Sequence, residues 1–143
     1  MNGLYDIERF IDAQNDIYSS VIAELKAGRK QGHWMWYVFP QIKGLGSSAM
    51  ANRYAISSMK EAEYYANHPI LGARLRECTQ YVIDIENGEI RDIFGYPDDL
   101  KFRSCMTLFE RADKKREVYE KALNKYFDGQ PDKSTLDILD RMS

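Results

Sequence analysis

Several things are scarce in this sequence of 143 residues, and each scarcity excludes something. Two cysteines are too few for a disulfide framework. A net charge of −2 gives no electrostatic reason to bind nucleic acid or an anionic membrane surface. No apolar run approaches the ~20 residues that span a bilayer. The opening Met1-Asn2-Gly3-Leu4-Tyr5-Asp6 has neither the basic stretch nor the apolar stretch of a signal peptide. A cytoplasmic protein is expected, with no nucleic-acid or membrane partner; nothing in the sequence argues for or against a homo-oligomer.

What is present suits a packed core. At 44% hydrophobic and 13% aromatic residues the composition is globular rather than disordered. A chain this long buries roughly 68–70% of its unfolded surface without a metal or disulfide staple. With no repeat, low-complexity stretch or linker, residues 1–143 read as one domain.

Helical periodicity dominates. Ile7, Phe10, Ile11, Gln14, Ile17, Tyr18, Val21, Ile22 and Leu25 recur at spacings of three and four, which predicts one long amphipathic helix from an Asp6 cap to Gly28. Ser58-Met59-Lys60-Glu61 is a capping box opening a helix to about Ala66. Asn67-His68-Pro69 interrupts it, with Pro69 suited to the first turn of the next. That helix carries Leu71, Leu75, Cys78, Val82 and Ile85 on one face and stops at Asn87-Gly88. A helical turn over Ile90–Phe94 ends at Gly95, and Pro97 opens a helix with Asp98 and Asp99 in its first turn. Val118 to Phe127 forms a further run ending near Gly129, and Ser134 is placed to cap a last helix. No segment alternates as a half-buried strand. The fold class is all-α, with about six helices plus short helical turns.

Three segments are poorly explained by local structure. From Trp34 to Pro40 every residue is apolar or aromatic, so periodicity does not separate a buried strand from a helical turn. It reads either as a core plug whose indoles find internal acceptors or as the aromatic wall of a pocket, with His33 and Gln41 at its ends. Lys43-Gly44-Leu45-Gly46-Ser47-Ser48 then runs into a helix containing Met50, Arg53 and Tyr54. Such a turn either exposes backbone N–H groups to an anion, with Lys43 adding charge, or is a tight turn in which Ser47 or Ser48 is the N-cap. It matches neither a Walker A loop nor a dinucleotide fingerprint. The third segment, Asp98 to Thr107, places Asp99 and Arg103 four apart, the spacing of a helical ion pair.

Other chemistry is disfavoured. Cys78 and Cys105 lie on apolar stripes, where thiols are inert. His33 and His68 stand far apart without metal-ligand spacing, and no metal or other cofactor is expected. His68 before Pro69 suits a turn or cap. No nucleophile elbow is present.

The same awkward segments carry a likeness. His33-Trp34-Met35-Trp36-Tyr37-Val38-Phe39-Pro40-Gln41 with Gly44-Leu45-Gly46, then His68-Pro69 to Leu75, then Asp98 to Phe109, resemble in order the blocks of a bacterial family known as domain of unknown function 1810. Tyr37 and Val38 replace the expected Phe and Ile, and Ser47 replaces a basic residue, which removes charge beside the glycine turn. The resemblance implies a single multi-helical domain and no established activity, catalytic residue or cofactor. Some members bear the label calpastatin, an inhibitor that is disordered, whereas this composition is not.

Two functional classes remain. In the first, a small anionic, nucleotide-like molecule is bound or processed in an aromatic and basic pocket. Trp34, Trp36, Gln41, Lys43, Gly46, Ser47 and Arg103 would be its ligand-binding residues, and His33 its general acid or base. The six residues His33, Trp34, Trp36, Gln41, Lys43 and Arg103 are expected around one cavity. In the second, an exposed aromatic patch docks a protein partner without catalysis.

Overall fold

The computed structural model describes residues 5–142; the first four residues of the opening that speaks against a signal peptide lie outside that range. Ten helices run through the described residues, in the order α1 (Glu8–Asn15), α2 (Tyr18–Lys26), α3 (Met35–Val38), α4 (Ala49–Arg53), α5 (Met59–Asn67), α6 (Leu71–Asp84), α7 (Ile90–Phe94), α8 (Asp98–Ala112), α9 (Glu117–Phe127) and α10 (Lys133–Met142). There is no sheet among them, only an isolated parallel bridge between Ile42 and Ile56. The all-α expectation holds, but the number of helices exceeds six.

The first periodic run explains part of the excess. It folds as two helices, because the chain turns at Asp16 and Ile17, the latter at φ −120°. Asn15 and Asp16 are short polar residues that compete with helical hydrogen bonds. Just before them, buried Gln14 donates from Nε2 to the Tyr37 carbonyl (2.6 Å) and the Tyr65 hydroxyl (3.2 Å), and Arg74 reaches Asn15. The break lets α1 pack on α3 while α2 packs on α6. No side chain caps α1, whose preceding residue is Ile7 rather than Asp6.

Other boundaries follow their signals. Gly28 sits at φ +80°, with Arg29 N–H donating to Glu24 O and Gly28 N–H to Leu25 O, the paired bonds of a Schellman ending. Ser58 Oγ accepts from Glu61 N–H, while the Glu61 carboxylate turns back to Ser57 N–H instead of Ser58. His68 Nδ1 accepts from the N–H groups of Ile70 and Leu71, the capping role expected of it. Asp132, not Ser134, caps α10: its Oδ2 accepts from Thr135 N–H at 3.0 Å.

Helix α8 is the centre, with Phe102, Cys105, Met106, Leu108 and Phe109 all fully buried. It packs against α5, α7, α9 and α10. Phe39, Phe94 and Phe102 meet with ring centroids 4.9–5.7 Å apart, so the aromatic segment after α2 is nailed to α7 and α8. That cluster fixes the position of everything around Trp36 and the glycine turn.

Cys78 and Cys105 are free and fully buried. Burial pushes the Cys78 thiol up to about 12 and Cys105 well above the ordinary 9.0. Neither should react with a thiol-specific reagent in the native protein, and both should react at once in denaturant. Rapid native labelling of either would contradict this packing.

Candidate functional site

The aromatic segment divides between two roles. Trp34 is 3% exposed, and its indole N–H donates to Glu24 Oε1 at 3.0 Å, so this residue is a core plug with an internal acceptor. The same Glu24 oxygen accepts from the backbone N–H groups of Gln31 and Gly32. Partial burial pushes the Glu24 carboxyl up, but these three donors together with Lys30 outweigh it and hold the group below its ordinary range. A knot between α2 and the turn before α3 results, and it withdraws Trp34 from any pocket wall.

Trp36, two residues on in the short helix α3, stays half-exposed. The Lys101 ammonium lies over its ring, 5.5 Å from the centroid. Lys101 also meets Asp98 Oδ1 at 3.5 Å, and Asp98 Oδ2 meets Lys30 at 2.9 Å. The Lys30 side chain is only 8% exposed and itself lies 5.1 Å over the Trp34 ring. Two ammonium groups therefore share the Asp98 carboxylate, and Lys30 also faces Glu24, so Lys101 carries the less firmly held charge beside Trp36.

This charge opens onto a groove of about 430 Å³ between the glycine turn, the start of α8 and the start of α10. Gln41, Gly46 and Ser47 line it on one side, and Lys101, Ser104 and Asp132 on the other. An adjoining crevice holds Trp36, Gln41 and Gly46, but its free volume of about 10 Å³ admits roughly one water. A ligand body would sit in the groove and touch only the edge of the crevice. Gly46 is needed sterically, since a Cβ there would lie 2.7 Å from that of Ala51. Asp132 Oδ2 is engaged three times: besides capping α10 it accepts from Thr135 Oγ1 (2.6 Å) and Ser104 Oγ (3.1 Å).

The tight-turn reading of the glycine segment prevails locally, because Ser48 is the N-cap of α4 and its Oγ accepts from Ala51 N–H. Lys43 is exposed and outside the groove lining, with its backbone N–H bonded to Ile56 O. His33 is exposed on the turn before α3, also outside that lining. Arg103 faces away. Its Nε donates to Gln130 O at 3.0 Å and its guanidinium lies over the Phe127 ring, so the ion pair with Asp99 expected from their spacing does not form.

Gln41, Gly46, Ser47 and Trp36 are thus brought together, whereas Trp34, His33, Lys43 and Arg103 are not among the residues lining this groove or its crevice. Lys101 occupies the place expected of Arg103. Its signal in the sequence is the spacing of three from Asp98, one helical turn. Glu24 carries no such signal, since on the sequence it is one polar residue on an outer helical face.

Among the described residues no helix is long and apolar enough to cross a membrane. Residues 4–139 match the family model described as protein of unknown function DUF1810. The fold is similar to the crystal structure of the conserved hypothetical protein Rv1873 from Mycobacterium tuberculosis, with 51% sequence identity and a TM-score of 0.94 over 95% of this chain and 97% of that one. No curated protein matches this chain.

Proposed function

The chain belongs to the DUF1810 family, and from that premise, which assigns no activity, we propose that it binds a small planar molecule carrying an anionic group. The ligand occupies the groove between the glycine turn and α8. One observation carries the reading: Gln41, Gly46 and Ser47 line the same groove as Lys101, whose ammonium lies over Trp36. The ligand's anion would draw Lys101 from Asp98, and Lys30 would keep Asp98 neutralised. Its planar body would rest against the exposed edge of Trp36, with Gln41 and Ser47 supplying hydrogen bonds. The reading assigns binding and no reaction, because His33 lies outside the groove lining.

Intrinsic tryptophan fluorescence titrated with nucleoside mono- and diphosphates tests it. A saturable change is expected, lost in Trp36→Phe, where the sealed Trp34 remains as the internal control. Lys101→Ala should weaken binding about tenfold or more, the scale of a lost charge-assisted hydrogen bond. An unresponsive native protein, or full affinity in Lys101→Ala, would defeat the proposal. The competing reading as a protein-interaction module would then stand, favoured by the open apolar groove of about 540 Å³ where Met59 of α5 faces Leu136, Leu139 and Met142 of α10.

A further inference from the structure

On the other face of the start of α8, Asp99 is 7% exposed, and its Oδ1 is buried without any hydrogen-bond partner. Its Oδ2 has a charged neighbour, Arg91 Nε, but at 3.9 Å this is beyond hydrogen-bond reach. Buried carboxylate oxygens are ordinarily satisfied, so an orphaned one calls for an explanation. The first turn of α8 accounts for a negative charge at this position but supplies no donor to that oxygen.

Asp99 forms part of the wall of an open cleft of about 490 Å³ between α7 and α9, which Glu89, Arg91, Lys125 and Tyr126 also line. The cations here are held in place. The Arg91 guanidinium stacks on Tyr96 at 5.1 Å, with its side chain 66% exposed. Lys125 Nζ donates to the Ile83 and Ile85 carbonyls, which leaves one of its three donors free. The cleft therefore presents an underused acceptor at its wall and two anchored cations at its rim.

The geometry points to a binding site for a small zwitterion of the amino-acid type, its ammonium on Asp99 and its carboxylate between Arg91 and Lys125. Asp99 lines the cleft, and an ammonium bound there would supply a donor to its carboxyl once the unpartnered oxygen turns outward. A simple anion would gain the cations but leave Asp99 unmet and repelling. A simple cation would meet Asp99 but confront Arg91 and Lys125. A ligand with both charges meets Asp99 and both cations at once, and Glu89 in the same lining gives its ammonium a second carboxylate. This site is separate from the Lys101 groove and does not rest on it.

The test is an amide-resolved NMR titration of the intact chain with glycine, alanine, glutamate and arginine, beside N-acetylglycine and methylamine as half-ligands. At least one amino acid should give saturable shifts at Arg91, Asp99, Lys125 and Tyr126, and each half-ligand should bind about tenfold or more weakly. Asp99→Asn should reduce the amino-acid affinity by a similar factor. Arg91→Ala, on the exposed rim, should weaken the amino acid while strengthening the response to methylamine, which no longer confronts the guanidinium beside Asp99. No saturable shift in this cleft with any amino acid at millimolar concentration would overturn the site. So would N-acetylglycine matching the amino acids, or unchanged affinity in both variants.

Discussion

Gly72→Ala should lower the melting temperature by roughly 10 °C, corresponding to about 3 kcal/mol for a chain of this size. A Cβ on Gly72 would lie 2.0 Å from the Ala66 carbonyl oxygen and 2.9 Å from its carbon. Both are backbone atoms at the end of α5, so no side chain can swing aside. The approach is close because α5 turns into α6 within a few residues, where His68 caps the new helix and Gly72 N–H donates to His68 O at 3.0 Å. Relief would require α5 and α6 to separate, and their packing carries Ala62, Tyr65, Ala66, Leu71 and Leu75 into the core. The Ala66 carbonyl also accepts from Arg76, so its movement would disturb the Arg76–Asp113 ion pair at 2.8 Å. Differential scanning calorimetry gives the answer. A Gly72→Ala protein melting within ~2 °C of the parent would mean that the helices do not approach so closely.

Alkaline unfolding should be steep. Burial pushes the hydroxyls of Tyr65 and Tyr119 well above the ordinary 10.0, and at Tyr119 the neighbouring Asp113 adds to the effect. The thiols of Cys78 and Cys105 are raised by burial as well. In each case the folded state keeps its proton at a pH where the unfolded chain releases it. Stability from these groups is thus fully present below pH 9.0 to 10.0 and is lost progressively as pH rises from there toward the raised values of the folded state. Each pH step beyond the unfolded value removes about 1.4 kcal/mol per group. By about pH 11 these four buried groups together withdraw roughly 8 kcal/mol, comparable with the whole stability of a typical domain. Circular dichroism followed with the tyrosinate absorbance should show helix loss and ionisation of Tyr65 and Tyr119 in one transition. Complete ionisation of all ten tyrosines with the helices intact would contradict the packing of Tyr65 and Tyr119.

Most helix ends are legible in the sequence, because their causes are local. Gly28, Ser58, Gly95, Pro97 and Gly129 act on hydrogen bonds within a few residues of themselves. The buried stripe of α8 is legible for a similar reason: a period of 3.6 residues places Phe102, Cys105, Met106 and Phe109 on one side whatever they meet. Even the role of His68 needs only its own neighbours.

The break at Ile17 is not legible in this way. The stripe from Ile7 to Leu25 is continuous in the sequence; Asn15 and Asp16 only weaken the helix locally, and the contacts of Gln14 with Tyr37 and Tyr65, residues far along the chain, favour two helices over one. The fate of the tryptophans is likewise a tertiary matter. Trp34 and Trp36 are chemically identical and two positions apart, yet Glu24 seals one and Lys101 leaves the other at a groove.

Composition and local periodicity make the chain helical, mark where most of its helices stop, and set which faces are apolar. Packing between helices turns Arg103 to Gln130 while Lys101 takes its place, and leaves Asp99 with an unpaired oxygen. The physical reason is range. Helical hydrogen bonds and side-chain period act over four residues, whereas the partner of a charge depends on which helix packs beside it, and that depends on the summed burial of the whole core.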